Sequence, residues 1–214
     1  DTKIHLFDKA FSFDRDDCEK YQNVNYLPLF FSPSYSSPED SHHPKSIDLI
    51  FIASLHSDRY KVLKRILANV AFIKPDFSAY SFLFYSSKLF FLLRKLLDRN
   101  FLNVPYSQVK WTPLSQDDVV RKIHDANIII DINHPKQSGL TMRTIESVAL
   151  KKKLITTNAS IRHERFYDEA NILIIDRNKP AITKDFIFSP YKEIDKIIIS
   201  EYSVETWVSN IFCE

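Results

Sequence analysis

A chain of 214 residues holds one glycine, Gly139. Average usage is about 7%, so this chain almost forgoes the residue that most readily supplies left-handed backbone and close approach. Three devices are excluded at once. The dinucleotide fingerprint G-x-G-x-x-G, the phosphate loop G-x-x-x-x-G-K-[ST] and the nucleophile elbow G-x-S-x-G each need more than one glycine. Turns must be built from the ten prolines with Asn, Asp and Ser. The position of Gly139 therefore carries information.

Hydrophobic residues make up 44% and charged residues 26%, which is enough apolar material for a packed core and excludes a disordered chain. Basic and acidic residues nearly cancel, 29 against 27, so no whole-molecule field marks nucleic acid as a partner. Cys18 and Cys213 offer neither metal spacing nor a disulfide framework, and a reducing cytosol is the expected compartment. The most apolar stretch, Phe82 to Leu97, is interrupted by Ser86, Ser87, Lys88, Arg94 and Lys95. It falls short of the ~20 apolar residues of a membrane span. A first residue of Asp1 reads as a processed or trimmed piece of something longer.

Residues 1–47 read as irregular, with Tyr26–Phe31 as a short strand and Ser32–Ser46 as a Ser-, Pro- and His-rich loop. From residue 48 strand and helix alternate. Strands are expected at Asp48–Ala53, Tyr80–Tyr85, Gln108–Trp111, Asn127–Asp131, Lys153–Thr156 and Asn171–Ile175. Helices are expected on the stripe Tyr60, Leu63, Leu67 and Val70, at Lys88–Leu97, after the capping pattern Ser115–Asp118, and at Leu140–Leu150, Tyr191–Ser200 and Ser203–Phe212. The strands are nearly continuous apolar runs, as strands buried on both faces are. The expected fold is α/β, a doubly wound parallel sheet over residues 48–214, with residues 1–47 as a linker or remnant of an inter-domain region. Such sheets bind ligands beyond the carboxyl ends of their strands.

The stretch from Asp131 to Asn158, DINHPKQSGLTMRTIESVALKKKLITTN, joins a strand, a polar loop with the single glycine, and a helix. A helix start with free N–H groups suits a phosphate. Gly139 admits close backbone approach, and Lys136 adds charge. An ordinary strand-to-helix loop needing one residue at positive φ explains the same residues equally well. Glu146 sharpens the case. On a helical wheel it falls within the apolar arc of Val148, Ile145, Ala149, Met142 and Leu150. A carboxylate there needs a partner: either Arg143 three residues earlier, or ligand hydroxyls.

Gly139, then Glu146 seven residues on, then KKKLITTN, resembles the donor-binding region of GT-B glycosyltransferases, enzymes with two facing Rossmann-like domains. Many retaining members carry Glu-Gly at the loop, a second Glu about two turns later, and Gly-x-Pro before the next strand. Here Ser138 stands at the first Glu, Glu146 matches the second, and Lys151 to Lys153 replaces the glycine and proline. The runs HPKQSGLTMRTIE, FDKAFSFDRDD, YLPLFF and FIASLHSDR are similar to a bacterial group acting in lipopolysaccharide and capsule synthesis, with Ala53 where a glycine is usual.

The resemblance implies a donor-binding, carboxyl-terminal half. It would move a sugar from a nucleotide diphosphate donor to a polysaccharide or lipid-linked acceptor, completed by an amino-terminal domain that is missing here. It implies no cofactor and no metal, the nucleotide-sugar being a substrate. Glu146 would hold the ribose. Lys136, Gln137, Ser138, Gly139 and Thr141 would form the sugar and phosphate loop. Ser54, His56 and Arg59 would face the diphosphate. No catalytic residue is assigned. Asp14-Arg15-Asp16 matches a D-x-D metal pattern only formally, and an Asp-rich helix start explains it better. His42-His43 has no further ligands nearby. Arg162 to Arg165 reads as a solvated helix or as cleft lining. Lys88–Leu97 reads first as a core helix with a solvated edge, and second as a peripheral contact with the inner face of a membrane. A non-catalytic nucleotide-binding domain and an interaction module of the polysaccharide machinery remain the other classes.

Overall fold

The computed structural model describes residues 3–36 and 45–212; His42, His43 and Cys213 lie outside them. The chain runs through β1 (Ala10–Ser12), α1 (Arg15–Lys20), β2 (Val24–Tyr26), β3 (Ile47–Ser54), α2 (Arg59–Ile73), β4 (Ala79–Phe84), α3 (Lys88–Leu97), α4 (Arg99–Leu102) and β5 (Val109–Lys110). It continues through α5 (Gln116–His124), β6 (Ala126–Asp131), α6 (Met142–Ala149), β7 (Lys153–Thr156), β8 (Ile172–Ile174), α7 (Lys184–Phe188), α8 (Lys196–Ser200) and α9 (Val204–Phe212).

Strands β3 to β8 form one parallel sheet in the order β5-β4-β3-β6-β7-β8. From β3 the chain winds outward through β4 and β5, then returns to the other side of β3 at β6. This is the doubly wound order, and its crevice opens beyond the carboxyl ends of β3 and β6. The alternating side chains of a strand divide the core in two. Leu49, Phe51, Ile128 and Ile130 face Leu63 and Ile66 of α2. Ile50, Ile129 and Leu154 face Ile123 of α5 and Ile145 of α6. Both faces are buried, which is why the strands read as unbroken apolar runs.

Helix starts follow local chemistry. Ser115 Oγ accepts from Asp118 N at 3.1 Å, and Thr141 Oγ1 accepts from Thr144 N at 3.3 Å. The end of α6 shows what glycine scarcity costs. Lys151 takes φ of 52° in a helix-closing turn where Lys152 N bonds to Ser147 O at 2.8 Å. Glycine is the usual residue there, and a side chain costs on the order of 1 kcal/mol. Ser57, in the turn after β3, is the other left-handed residue, at φ 46°.

Several expectations change. Residues 10–26, expected to be irregular, are ordered: β1, α1 and β2 form a small parallel unit. The strand expected at Tyr26–Phe31 ends at Tyr26, and Phe31 makes only an isolated bridge to Ser203. The helix expected from Tyr191 begins at Lys196. Asn171 grips Lys192 by both backbone groups, holding it out of a helix until Asp195 supplies the cap. Helix α3 is not a core helix, because Phe91 is its one buried residue. Glu164, expected on a solvated helix, is buried. It accepts from Arg15 at 3.0 Å, Tyr26 at 2.6 Å and Tyr202 at 2.8 Å, binding the amino-terminal unit to the end of the chain.

Candidate functional site

The crevice is built from four loops at the carboxyl edge of the sheet, following β3, β6, β7 and β8. Arg59, the first residue of α2, reaches back across the switch point. Its Nη1 donates to Ser54 O at 2.9 Å and its Nε to Ile132 O at 2.6 Å. Burial disfavours its charge and Asp131 favours it, and a guanidinium stays protonated through such shifts. The cation is thus fixed between β3 and β6. Beside it the His56 and His134 rings stand 5.2 Å apart. Burial, then Arg59, His134 and Arg177, push His56 down to about 4. It is neutral at pH 7, and its Nδ1 lies 3.0 Å from Ser57 Oγ.

Arg177, in the loop after β8, clamps the other loops. It forks onto Asp58 at 2.7 and 3.1 Å. It also donates to Asn133 Oδ1, Asn133 O and Thr157 Oγ1 at 2.9 to 3.0 Å. The bonds from Arg177 hold the Asp58 carboxyl below its ordinary range despite burial. Sequence reasoning missed Arg177 and His134. His134 sits inside the quoted stretch, and its pairing with His56 spans two loops. Arg177 lies in a polar turn with no local pattern, and only the sheet order brings it to Asp58.

Asp131, at the end of β6, is buried and accepts from Thr141 Oγ1 at 2.7 Å and Thr144 Oγ1 at 2.9 Å. The Thr141 hydroxyl is therefore spent on capping α6 and tying it to β6. The loop before it is held by amides. Gln137 Nε2 donates to Gly139 O at 3.0 Å. Asn158 Nδ2 donates to both Ser138 O and Gly139 O at 3.0 Å. Lys136 stays exposed at the rim, and Ser54 is exposed at the end of β3.

Gly139 does not use positive φ. What it supplies is space. A Cβ would lie 2.7 Å from Phe13 Cδ2 and 3.1 Å from Phe13 O. The close approach that its lack of a side chain permits is made by the chain's own amino-terminal unit. Gly139 N donates to Asp14 Oδ2 at 2.9 Å, and Ser138 Oγ bonds to Asp14 Oδ1. Burial raises the Asp14 pKa, but these bonds outweigh it and leave the carboxyl below its ordinary value. Asp14 also caps α1 through Asp16 N at 3.1 Å, the helix-start role expected of the D-x-D pattern. Among the described residues no three His, Cys, Asp or Glu side chains gather as a metal site.

Glu146 is 7% exposed. It pairs with Arg143 and bonds with the Tyr35 hydroxyl. Burial raises its pKa against the pull of Arg143 and Tyr35, and Asp131 adds to the rise. The structure thus brings Ser54, His56, Arg59, the Lys136–Thr141 loop and Glu146 to one edge of the sheet. A cavity of about 790 Å³ opens at the opposite edge, between Lys45, His124, Lys152 and Tyr191. It contains none of these groups and lies at the amino ends of the strands, where doubly wound sheets do not place ligands.

No family model and no curated protein sequence matches the chain. Solved structures match it throughout. A glycosyltransferase from Rickettsia africae superposes with a TM-score of 0.57 at 12% identity, over 95% of this chain and 61% of that one. TarM gives 0.58 at 12% identity, over 98% and 43%. The lipopolysaccharide outer core galactosyltransferase WaaB gives 0.50 at 13% identity, over 97% and 61%. The likeness is one of fold: a six-stranded Rossmann-like half of the GT-B architecture. The chain spans 43% to 61% of the length of these structures.

Proposed function

We propose that the chain is the donor-binding half of a glycosyltransferase, which moves a sugar from a nucleotide diphosphate onto a bacterial surface polysaccharide or lipopolysaccharide acceptor. One observation carries the reading. At the switch point of a fold shared with glycosyltransferases, two fixed guanidiniums (Arg59 and Arg177), two imidazoles and the capped start of α6 surround one crevice. That is a setting for a diphosphate, held by charge and N–H donors. Glu146, little more than one turn into α6, takes the ribose diol. Lys136, Gln137 and Ser138 line the approach of the sugar. Transfer also requires an acceptor-binding domain facing this edge.

A second reading, nucleotide binding without transfer, draws support from Asp14. Its carboxylate already occupies the Ser138 hydroxyl and the Gly139 N–H, so an incoming sugar must share or displace it.

Calorimetry with a panel of nucleoside diphosphates and their sugars tests both. The donor reading expects one base to bind, its sugar form more tightly than the bare diphosphate. Equal affinity with and without the sugar favours the second reading. No binding across the panel overturns both and leaves an interaction module.

A further inference from the structure

Helix α3 carries its apolar face outward. At about 100° per residue, Leu92, Leu96, Leu89, Leu93, Leu97 and Phe90 fill one continuous arc of about 160°. These six side chains are between 43% and 85% exposed. Phe91 points the opposite way. It is fully buried, with the rings of Tyr85, Phe101, Tyr106 and Trp111 centred 5.6 to 6.1 Å away. The helix is therefore held firmly from beneath and presents its leucines as a rigid ridge. The exposed apolar area is on the order of 600 Å², at the upper end of what a monomer leaves to water.

The charges say what covers the ridge. Lys88 borders the apolar arc beside Leu92, and Arg94 borders it beside Phe90, so a cation stands on each edge. The helix contains no acidic residue. The nearest, Asp98, is held by Arg94 at 3.7 Å. The side chains of Lys88 and the exposed Arg99 make no bond with any described residue. A protein interface draws its centre from aromatic residues and is depleted in lysine. A leucine ridge with a cation on each edge is the pattern of a helix lying in a membrane surface, its chains buried among acyl groups and its cations at the headgroups.

We propose that α3 is an in-plane anchor that seats this domain on an anionic lipid surface. No helix among the described residues is long and apolar enough to cross a membrane, so the contact is peripheral. The inference is independent of the donor reading, since it uses no residue of the crevice.

The test is sedimentation of the full chain with two kinds of vesicle: phosphatidylcholine alone, and phosphatidylcholine with phosphatidylglycerol. Binding is expected to the anionic vesicles and to fall tenfold or more as salt rises from about 0.05 to 0.5 M. The double variant Leu96→Gln/Leu97→Gln alters two side chains that are 81% and 85% exposed. It should keep the wild-type circular dichroism and lose binding at least tenfold. Lys88→Gln/Arg99→Gln should weaken binding to anionic vesicles and leave the neutral ones unchanged. Absence of wild-type binding, or equal binding by the leucine variant, overturns the proposal. So does a wild-type dimer, seen by light scattering, that the leucine variant converts to monomer, because the ridge then belongs to a second copy.

Discussion

Arg59 Nε donates to the carbonyl of Ile132 at 2.6 Å while its Nη1 donates to the carbonyl of Ser54 at 2.9 Å. One side chain thus joins the carboxyl ends of β3 and β6 at the point where the sheet reverses its winding. The cation proposed for the diphosphate is a staple between the two strands that make the crevice.

Arg59 should therefore show two effects. Arg59→Lys removes the fork and keeps the charge; a lost charged hydrogen bond costs about 1.5–3 kcal/mol of stability, read by urea unfolding. Arg59→Met also removes the charge, and should weaken a nucleoside diphosphate roughly tenfold to hundredfold more than the parent nucleoside. Equal losses for the two ligands in calorimetry would make Arg59 a staple alone.

His56 predicts a pH dependence. The unfolded chain takes up its proton near the ordinary 6.5, and the folded chain only near 4. Between these values the unfolded state holds more protons, so stability rises with pH across the window and levels above it. The residue is half-buried, and screening reduces the contribution to on the order of 1 kcal/mol. His56→Asn should flatten that part of the curve when unfolding is measured at pH 5 and pH 7. A variant as acid-sensitive as wild type would place the slope elsewhere.

Glu146 already has two partners, Arg143 and Tyr35. Its loss should weaken a nucleotide by about 1.5–3 kcal/mol if it holds the ribose. The cycle compares a nucleotide with its 2′-deoxy analogue on wild type and on Glu146→Gln. The deoxy penalty should shrink in the variant. Tyr35→Phe, which removes only the hydroxyl bonded to Glu146, should leave that penalty in place. Simple additivity in the Glu146 cycle would reduce the residue to a buried ion pair with Arg143.

Gly139→Ala places a methyl against Phe13. The ring is the part able to move, and the backbone oxygen at 3.1 Å is not. Overpacking of this kind costs about 1–3 kcal/mol, and here it should loosen the amino-terminal unit first. Limited proteolysis within residues 10–26 should quicken. Adding Phe13→Ala should restore part of the protection. If cleavage stays at the wild-type rate, the unit does not depend on that contact.

The periodicities legible along the chain concern what each segment does with its neighbours a few residues away. Continuous runs such as Asp48–Ala53 and Asn127–Asp131 announce strands buried on both faces, and their alternation with amphipathic helices announces a parallel sheet. Ser115 marks a helix start for the same local reason. Glu146 stands out because a wheel is local geometry, and Arg143, the partner within its own helix, lies within one turn.

What only the tertiary structure decided involves contacts between residues far apart in the chain. Arg177 is brought to Asp58 and Asn133, and His56 to His134, by a strand order that no local pattern encodes. Gly139 promised a ligand or a left-handed turn. It takes no left-handed turn, and its open side is met by Phe13 and Asp14, more than a hundred residues earlier, because a missing Cβ invites any backbone that packing brings near. Helix α3 makes the point from the other side. Its apolar arc is plain in the sequence, but the spacing of apolar residues along a helix does not encode where the core lies. Phe91 alone entered the aromatic cluster beneath it, and that packing turned the leucines outward.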